Sequence, residues 1–530
     1  MNKIFSFAAL ILASFTLSAQ SVELRNELEK VNAFFYQLDR FYVDSIDNND
    51  LITSVIRKTL EDLDPHSVYI PAEELKKMNE PLVGNFDGIG IQFNILKDTI
   101  LVISPIAGGP SEKLGIRAGD KIVEIEDTLV AGIGITNNDV VSKLRGKKGT
   151  VVNVGISRKG EKNVMKFAIT RDKIPIYSVD AGFMLNDETG YIKVNRFAAN
   201  TVEEFKAKLA PMQEKGMKNL VLDLQGNGGG YLKTAIDLAD EFLGPNKLIV
   251  YTKGRSFPKE ESRATIAGNF EEGKLIVLID EGSASASEIV SGAIQDWDRG
   301  LIVGRRSFGK GLVQKPFMLP DGSAMRLTIS RYYTPSGRCI QRNYGDGIEA
   351  YYKERYDRYT SGELFSLDSI SFPDSLKFFT DHKRIVYGGG GITPDLFTPL
   401  DTSNNSTMLT AMIRKGITNS FSLDFVEKDR RKLGKLYPDV IAFKQNFKLS
   451  EDNLAELKAM AEKEGIEWNE SDFKKSEAVI TARIRALIAR NIFDSDAFYY
   501  VISDINEALQ DALEILDSGN YDKQLAANKP

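Results

Sequence analysis

A single cysteine, Cys339, and only two histidines, His66 and His382, in 530 residues remove several chemistries at once. One thiol leaves no disulfide within the chain and no cysteine-rich zinc site, and two imidazoles cannot build a multi-histidine metal centre. A Ser-His-Asp triad would have only those two side chains from which to draw its base. Charge of one sign is lacking as well: 68 Lys and Arg against 74 Asp and Glu leave a net charge of −6. No domain-length basic face stands out, so nothing electrostatic points to a nucleic-acid partner. Long apolar runs are also missing, apart from Ile4 to Leu17 behind Lys3, which ends in the small residues Ser18 and Ala19. That is the pattern of a secretory signal peptide over 1–19, too short to span a bilayer comfortably; a retained anchor is the alternative. The expectation is an exported, periplasmic protein, soluble or peripherally associated with the membrane.

What is present is a globular composition. An apolar content of 42% is ample for buried cores, and the length suits about three or four domains. Residues 20–80 carry apolar positions at three-to-four spacing and read as an N-terminal helical region closing at Asp64-Pro65. Residues 84–172 switch to short alternating runs (GIGIQFNIL, TILVISPI, DKIVEIED, TVVNVGISR, VMKFAITR) with one short helix, NDVVSKLRG, forming a β-rich module. From 175 to 400 strands and helices alternate (GYIKVNRF, TVEEFKAKLAPMQEKG, NLVLDL, YLKTAIDLADEFL, KLIVLID, SEIVSGAIQDWDRG), which predicts βαβ-like units on a mainly parallel sheet. Residues 402–530 are polar and mostly helical and read as a separate C-terminal region.

Two motifs in the βα core compete for attention. VGRRSFGKGLVQ, residues 303–314, satisfies most of a phosphate-binding loop, with Gly304, Gly309 and Lys310 after a short apolar strand. Such a loop needs Ser or Thr after the lysine and a helix starting there. Here Gly311 follows, and Pro316 and Pro320 mark extended or turning chain, so a nucleotide site is rejected.

The second motif, IDEGSASASEIVSGAIQDW, places serines in a tight turn between the buried strand KLIVLID and a helix whose apolar face is Ile289, Val290, Ala293, Ile294 and Trp297. A hydroxyl there lies near a helix N-terminus, where backbone N–H groups favour developing negative charge. Ser285 with Glu288 also fits a capping box, and spacing alone leaves capping and nucleophile side by side. If Ser285 is a nucleophile it needs a base. His66 precedes the β module and His382 sits in a charged stretch, so neither is well placed. Lys310 follows the next strand, and adjacent parallel strands would bring it to the same sheet edge, giving a Ser-Lys dyad. Its proton affinity must fall from the usual pKa of about 10.4 toward neutrality, which burial near Phe308, Leu312 and Val313 can supply. Gln314, four residues on along an extended chain, could orient the amine. In GNGGG the glycines bring backbone amides close to a ligand, so Gly229 and Ala286 are the candidate oxyanion donors.

These residues resemble the C-terminal processing peptidases, the tail-specific proteases. The likeness lies in LDPHSVY, DLQGNGGG, GSASASEI, VGRRSFGKGLVQ, RYYTPSGRCIQ and GGITPD, and covers roughly residues 60–400. It implies a multidomain α/β protein with a βα-repeat core of crotonase/ClpP-like type, Ser285 as nucleophile, Lys310 as general base, Gln314 in support, and Gly229 and Ala286 as oxyanion donors. It implies no cofactor and no metal. One departure stands out: the family's strand-end motif usually has an arginine and a proline where this chain has Gln225 and Gly228. Which glycine of 228–230 completes the oxyanion hole therefore stays open.

The β module resembles a PDZ domain in GGPSEKLGIRAGDKIVEIED, with GIGIQF in the place of the carboxylate-binding loop. Amides around Ile89, Gly90 and Ile91 could receive a chain terminus while the peptide adds a strand to the sheet edge. Val140 and Leu144 could line the pocket for its last side chain, with Val141 read as core. The expected activity is an exported serine endopeptidase acting on proteins presented by their C-termini. The rivals are an inactive PDZ scaffold and a crotonase-like acyl transferase. The helical termini are candidate surfaces for a homodimer, and an adaptor protein is a further open partner.

Overall fold

A computed structural model describes residues 24–106, 108–265, 268–370 and 372–526, and the expected signal peptide lies outside them. The core is a six-stranded sheet in the order Val179–Met184, Thr189–Val194, Asn219–Asp223, Lys274–Ile279, Leu301–Gly304, Leu396–Phe397. The first pair is antiparallel and the remaining pairs are parallel. Parallel strands are buried on both faces and so need two covering layers. The helices Thr201–Glu214, Leu232–Asp240 and Ala286–Asp296 supply one layer, packing Phe205, Leu209, Leu238, Ile289, Val290 and Ile294 against Leu220, Leu222, Leu275 and Val277.

The other layer corrects the expectation of a separate C-terminal region. Helix Glu507–Asp517 lays Ala508, Leu509, Ala512, Ile515 and Leu516 on Tyr191, Val221, Ile276, Leu278, Leu301 and Val303, the opposite face of the same strands. Only residues 408–502 of that region build a core of their own, from Met408, Phe421, Leu457, Ile480, Ile484 and Val501 among others.

A second, antiparallel sheet lies beside the core in the order Val68–Ile70, Ala324–Tyr333, Leu248–Lys253, Glu260–Arg263, with Leu312–Met318 also paired to Ala324–Tyr333. The three-residue strand Val68–Ile70 thus ties the N-terminal region to the strands that follow Lys310.

The β module is an antiparallel sheet of Ile91–Ile95, Ile100–Pro105, Lys121–Ile125, Val151–Ser157 and Met165–Thr170, with Thr128–Leu129 added beside Lys121–Ile125. Helix Asn137–Leu144 closes its core. Chain enters and leaves through a two-stranded stem, Asn85–Gly88 paired with Asp172–Pro175. Against Leu101 and Ile103 of the strand Ile100–Pro105 sits Leu423 of helix Ile417–Leu436.

Candidate active site

The SASAS turn is resolved into three different tasks. Ser283 and Ser287 are fully buried, and their hydroxyls donate to the carbonyls of Leu224 and Asn227, both at 2.8 Å. They lock the turn onto the glycine loop. Ser285 between them is only partly buried. Its backbone is held at φ +57°, ψ −110°, a conformation that costs a non-glycine residue about 1–3 kcal/mol and is kept only where surroundings enforce it.

The enforcing group is Glu288, which spacing marked only as half of a capping box. It is fully buried, and its carboxylate accepts from the Ser285 amide at 2.7 Å, the Gly309 amide at 2.7 Å, the Lys310 amide at 2.9 Å and the Ser307 hydroxyl. One carboxylate thereby gathers the backbones of residues 285 and 310, and burial pushes its pKa up against the pull of those donors. On the carbonyl side the buried Tyr332 hydroxyl lies against both Ser285 O, at 3.1 Å, and Lys310 O. The Lys310 amine is mostly buried, and burial first, then the Arg326 charge, lowers its pKa from the ordinary 10.5 to about 8.

Gly229 also meets the turn. A Cβ added there would lie 2.9 Å from Ser285 Cβ and 3.0 Å from Ala286 N, at a φ of +101° that side chains rarely adopt. Position and glycine identity fit the oxyanion expectation, but the Gly229 amide is engaged, donating to Asn227 Oδ1 at 2.9 Å. Ala286 opens its helix, where the amide has no intrahelical acceptor.

Gln314 departs from the simple geometry expected of it. A bulge between Val313 and Gln314 breaks the alternation of the strand, and the Gln314 Nε2 donates to Thr328 Oγ1 at 3.3 Å on the neighbouring strand. His66, set aside from the sequence, is a neighbour of the lysine after all. Its ring packs edge-on to Phe308 and Tyr351, and its Nε2 pairs with Tyr351 Oη at 2.8 Å. Burial and then the Lys310 charge lower its pKa to about 4, so it stays neutral and is a poor base. The segment carrying it lies about 250 residues before Lys310, and the Val68–Ile70 strand pairing helps to bring it here.

The unusual Gln225 is bound from two sides. Lys193 Nζ donates to its carbonyl at 2.6 Å and to buried Asp223 at 2.9 Å, while Asn506 Nδ2, at the start of the C-terminal covering helix, donates to Gln225 Oε1 at 3.0 Å. Among the described residues no group of three or more His, Cys, Asp or Glu gathers as metal ligands would.

In the β module, strand Ile91–Ile95 pairs only with Ile100–Pro105 among the described residues, leaving one edge open to an added strand. Gly90 turns at φ +75°, and the Ile89 carbonyl is held by the Ser111 amide and hydroxyl. The helix corrects the pocket reading: Val140 and Leu144 are 0% and 4% exposed and pack with Ile89 in the core, whereas Val141, expected to be core, is only partly buried. The helix turns the opposite positions inward from those expected.

Fold and site together define a serine-peptidase core carrying a PDZ module. The model of peptidase family S41 matches residues 188–352, that of the PDZ domain 88–169, and a family of unknown function 408–494. A carboxy-terminal-processing protease of Bartonella bacilliformis is 38% identical over 355 residues, covering 64% of this chain and 80% of that protein. Carboxy-terminal processing protease CtpB of Bacillus subtilis is 32% identical over 341 residues, covering 64% and 70%. Among solved structures, a photosystem II D1 C-terminal processing protease is 30% identical, covering 58% of this chain and 83% of that one, with a TM-score of 0.34. The chain belongs to the carboxy-terminal processing proteases of peptidase family S41, and is a serine-type endopeptidase with a PDZ domain.

Proposed function

We propose that this enzyme is exported, captures protein substrates by their C-termini on the PDZ module, and cleaves them with Ser285 as nucleophile and Lys310 as base. The observation that carries this reading is the Glu288 carboxylate, which draws the amides of Ser285 and Lys310 to one point while the lysine amine lies buried with a lowered proton affinity. Neutral Lys310 takes the Ser285 proton as Oγ attacks the scissile carbonyl, then returns it to the departing amine; water hydrolyses the acyl-enzyme. Ala286 N–H meets the oxyanion, and Gly229 N–H joins once it leaves Asn227 Oδ1. The unpaired edge of Ile91–Ile95, beside Ile89 and Gly90, receives the substrate tail by strand addition.

Ser285→Ala should abolish cleavage of an unfolded protein and labelling by a serine-directed probe while leaving folding intact. Retained cleavage would refute the assignment.

A second copy of the chain is the partner we propose for the N-terminal helix. Over 24–41 and just beyond, Leu24, Leu28, Val31, Phe35, Leu38 and Tyr42 recur at alternating spacings of four and three, the seam of a helix pair. Leu24, Leu28, Val31 and Tyr42 are 46–62% exposed. Leu28→Asp should convert a dimer to a monomer in light scattering; a wild-type monomer would exclude this.

A further inference from the structure

The turn 64–67 does more than link the N-terminal helices to a strand. Asp64 is 7% exposed, and its Oδ1 accepts from the His66 amide at 2.8 Å, the Ser67 amide at 2.9 Å and the Thr328 hydroxyl at 3.0 Å. Its Oδ2 accepts from the Ser67 hydroxyl at 2.6 Å, and Ser67 Oγ in turn accepts from the Thr328 amide at 3.0 Å. The turn therefore grips Thr328 by both its amide and its hydroxyl. In the strand pair, Thr328 stands directly opposite Gln314.

The direction of these bonds is dictated by charge. An ionised carboxylate can only accept, so the single Thr328 hydroxyl proton goes to Asp64. The hydroxyl is then left with lone pairs alone, and its partner on Gln314 must be a donor, the amide nitrogen. Fixing Nε2 at Thr328 leaves Oε1 as the atom that Gln314 has available for other donors. A neutral lysine amine is such a donor, and an N–H given to Oε1 leaves its lone pair for a serine proton.

We propose that Asp64 and Thr328 are positioning residues that set the orientation of the Gln314 amide, so that its carbonyl oxygen receives an N–H of Lys310 and turns the amine's lone pair toward Ser285. This rests on the reading of Ser285, Lys310 and Gln314 given above. The groups that face Lys310 are Arg326 on the strand Ala324–Tyr333, Glu288 on the nucleophile helix, and Asp64 and His66 on the turn, with Arg342 beyond His66. Of these, Asp64 and Glu288 hold the amine's proton affinity up, and Arg326 and the burial itself hold it down.

The test is steady-state cleavage of an unfolded protein by the full chain over a range of pH. Thr328→Val keeps the shape and removes the hydroxyl; it should lower kcat about ten- to hundredfold with KM little changed, as misorientation of a catalytic group does. Thr328→Ser should restore most of the loss, which a role in packing the threonine methyl would not predict. Asp64→Asn should lower kcat and move the acidic limb of the profile to lower pH, because a negative charge facing the amine is gone. Should Asp64→Asn not fold, the valine and serine variants decide the matter alone. Unchanged kcat and pH profile in Thr328→Val, with Lys310→Ala inactive, would overturn the relay; an active Lys310→Ala would instead overturn the dyad on which it rests.

Discussion

Activity should rise with pH through a single ionisation close to 8. On the proposed dyad Lys310 would act as a base only when neutral, and its pKa is lowered from 10.5 to about 8. At pH 7 about one amine in ten is then neutral, against roughly 3 in 10,000 at the ordinary value, so sheltering the amine is worth about 300-fold in competent enzyme. The sign follows from a lowered lysine pKa: protonation is the inactivating event, so kcat/KM falls about tenfold per unit below the pKa and levels off above it. His66 does not contribute to this limb, because its pKa lies near 4 and its Nε2 is already paired with Tyr351.

The perturbation that tests the cause is Arg326→Gln. Arg326 is the second cause of the lowering after burial, so removing its charge should raise the lysine pKa and move the limb to higher pH. A rise of about half a unit would cost about threefold at pH 7 and nothing above about pH 9.5. The measurement is kcat/KM for a peptide ending in an apolar tail, from about pH 6 to about pH 10. A limb centred near 6, or one that Arg326→Gln leaves in place, would show that some other group takes the serine proton.

Other consequences are equally open to measurement. Glu288→Gln sets an N–H₂ among four donors in a fully buried site; stability should fall by about 2–4 kcal/mol in urea unfolding and kcat by about a hundredfold, through displacement of residues 285 and 310. Removing residues 89–171 and keeping the Asn85–Gly88 and Asp172–Pro175 stem should abolish preference between substrate tails while leaving some cleavage of unfolded protein; unchanged tail preference would place recognition elsewhere. Truncation before residue 507 uncovers the sheet face under Leu509, Ile515 and Leu516; at about 1.5–3 kcal/mol for each buried side chain the loss approaches a domain's whole stability, so the shortened chain should be insoluble or fail to melt cooperatively.

The parts of this molecule that could be read from the sequence are those whose cause is local. KLIVLID followed by GSASASE announces a buried strand turning into a helix, because an unbroken apolar run gives way to capping residues and then to three-to-four spacing, and the observed strand Lys274–Ile279 and helix Ala286–Asp296 follow it closely. The alternating runs of 84–172 likewise form the ladder they announce. What escaped has a distant cause. Glu288 looked like a cap because its relation to residues 307, 309 and 310 is created by the parallel pairing of Lys274–Ile279 with Leu301–Gly304. His66 looked remote, and Asp64 read only as the close of the N-terminal helices, because three residues of antiparallel pairing, too short to carry a periodic signal, help to bring them to the site.

The covering role of helix Glu507–Asp517 did have a signal. NLVLDL and KLIVLID are apolar at consecutive positions, so both faces of those strands must be buried, yet the three intervening helices can lie over only one of them. A second layer was therefore owed by some other part of the chain, and an amphipathic helix beyond residue 402 was the available source. Asn506 then joins that layer to the site: the residue that caps the helix also donates to Gln225, where the family's usual arginine is absent. The strand end that carries the glycine loop is thus held from the side by Lys193 and from the end by the last helices of the chain, so the C-terminal segment and the glycine loop should lose their order together when either is cut away.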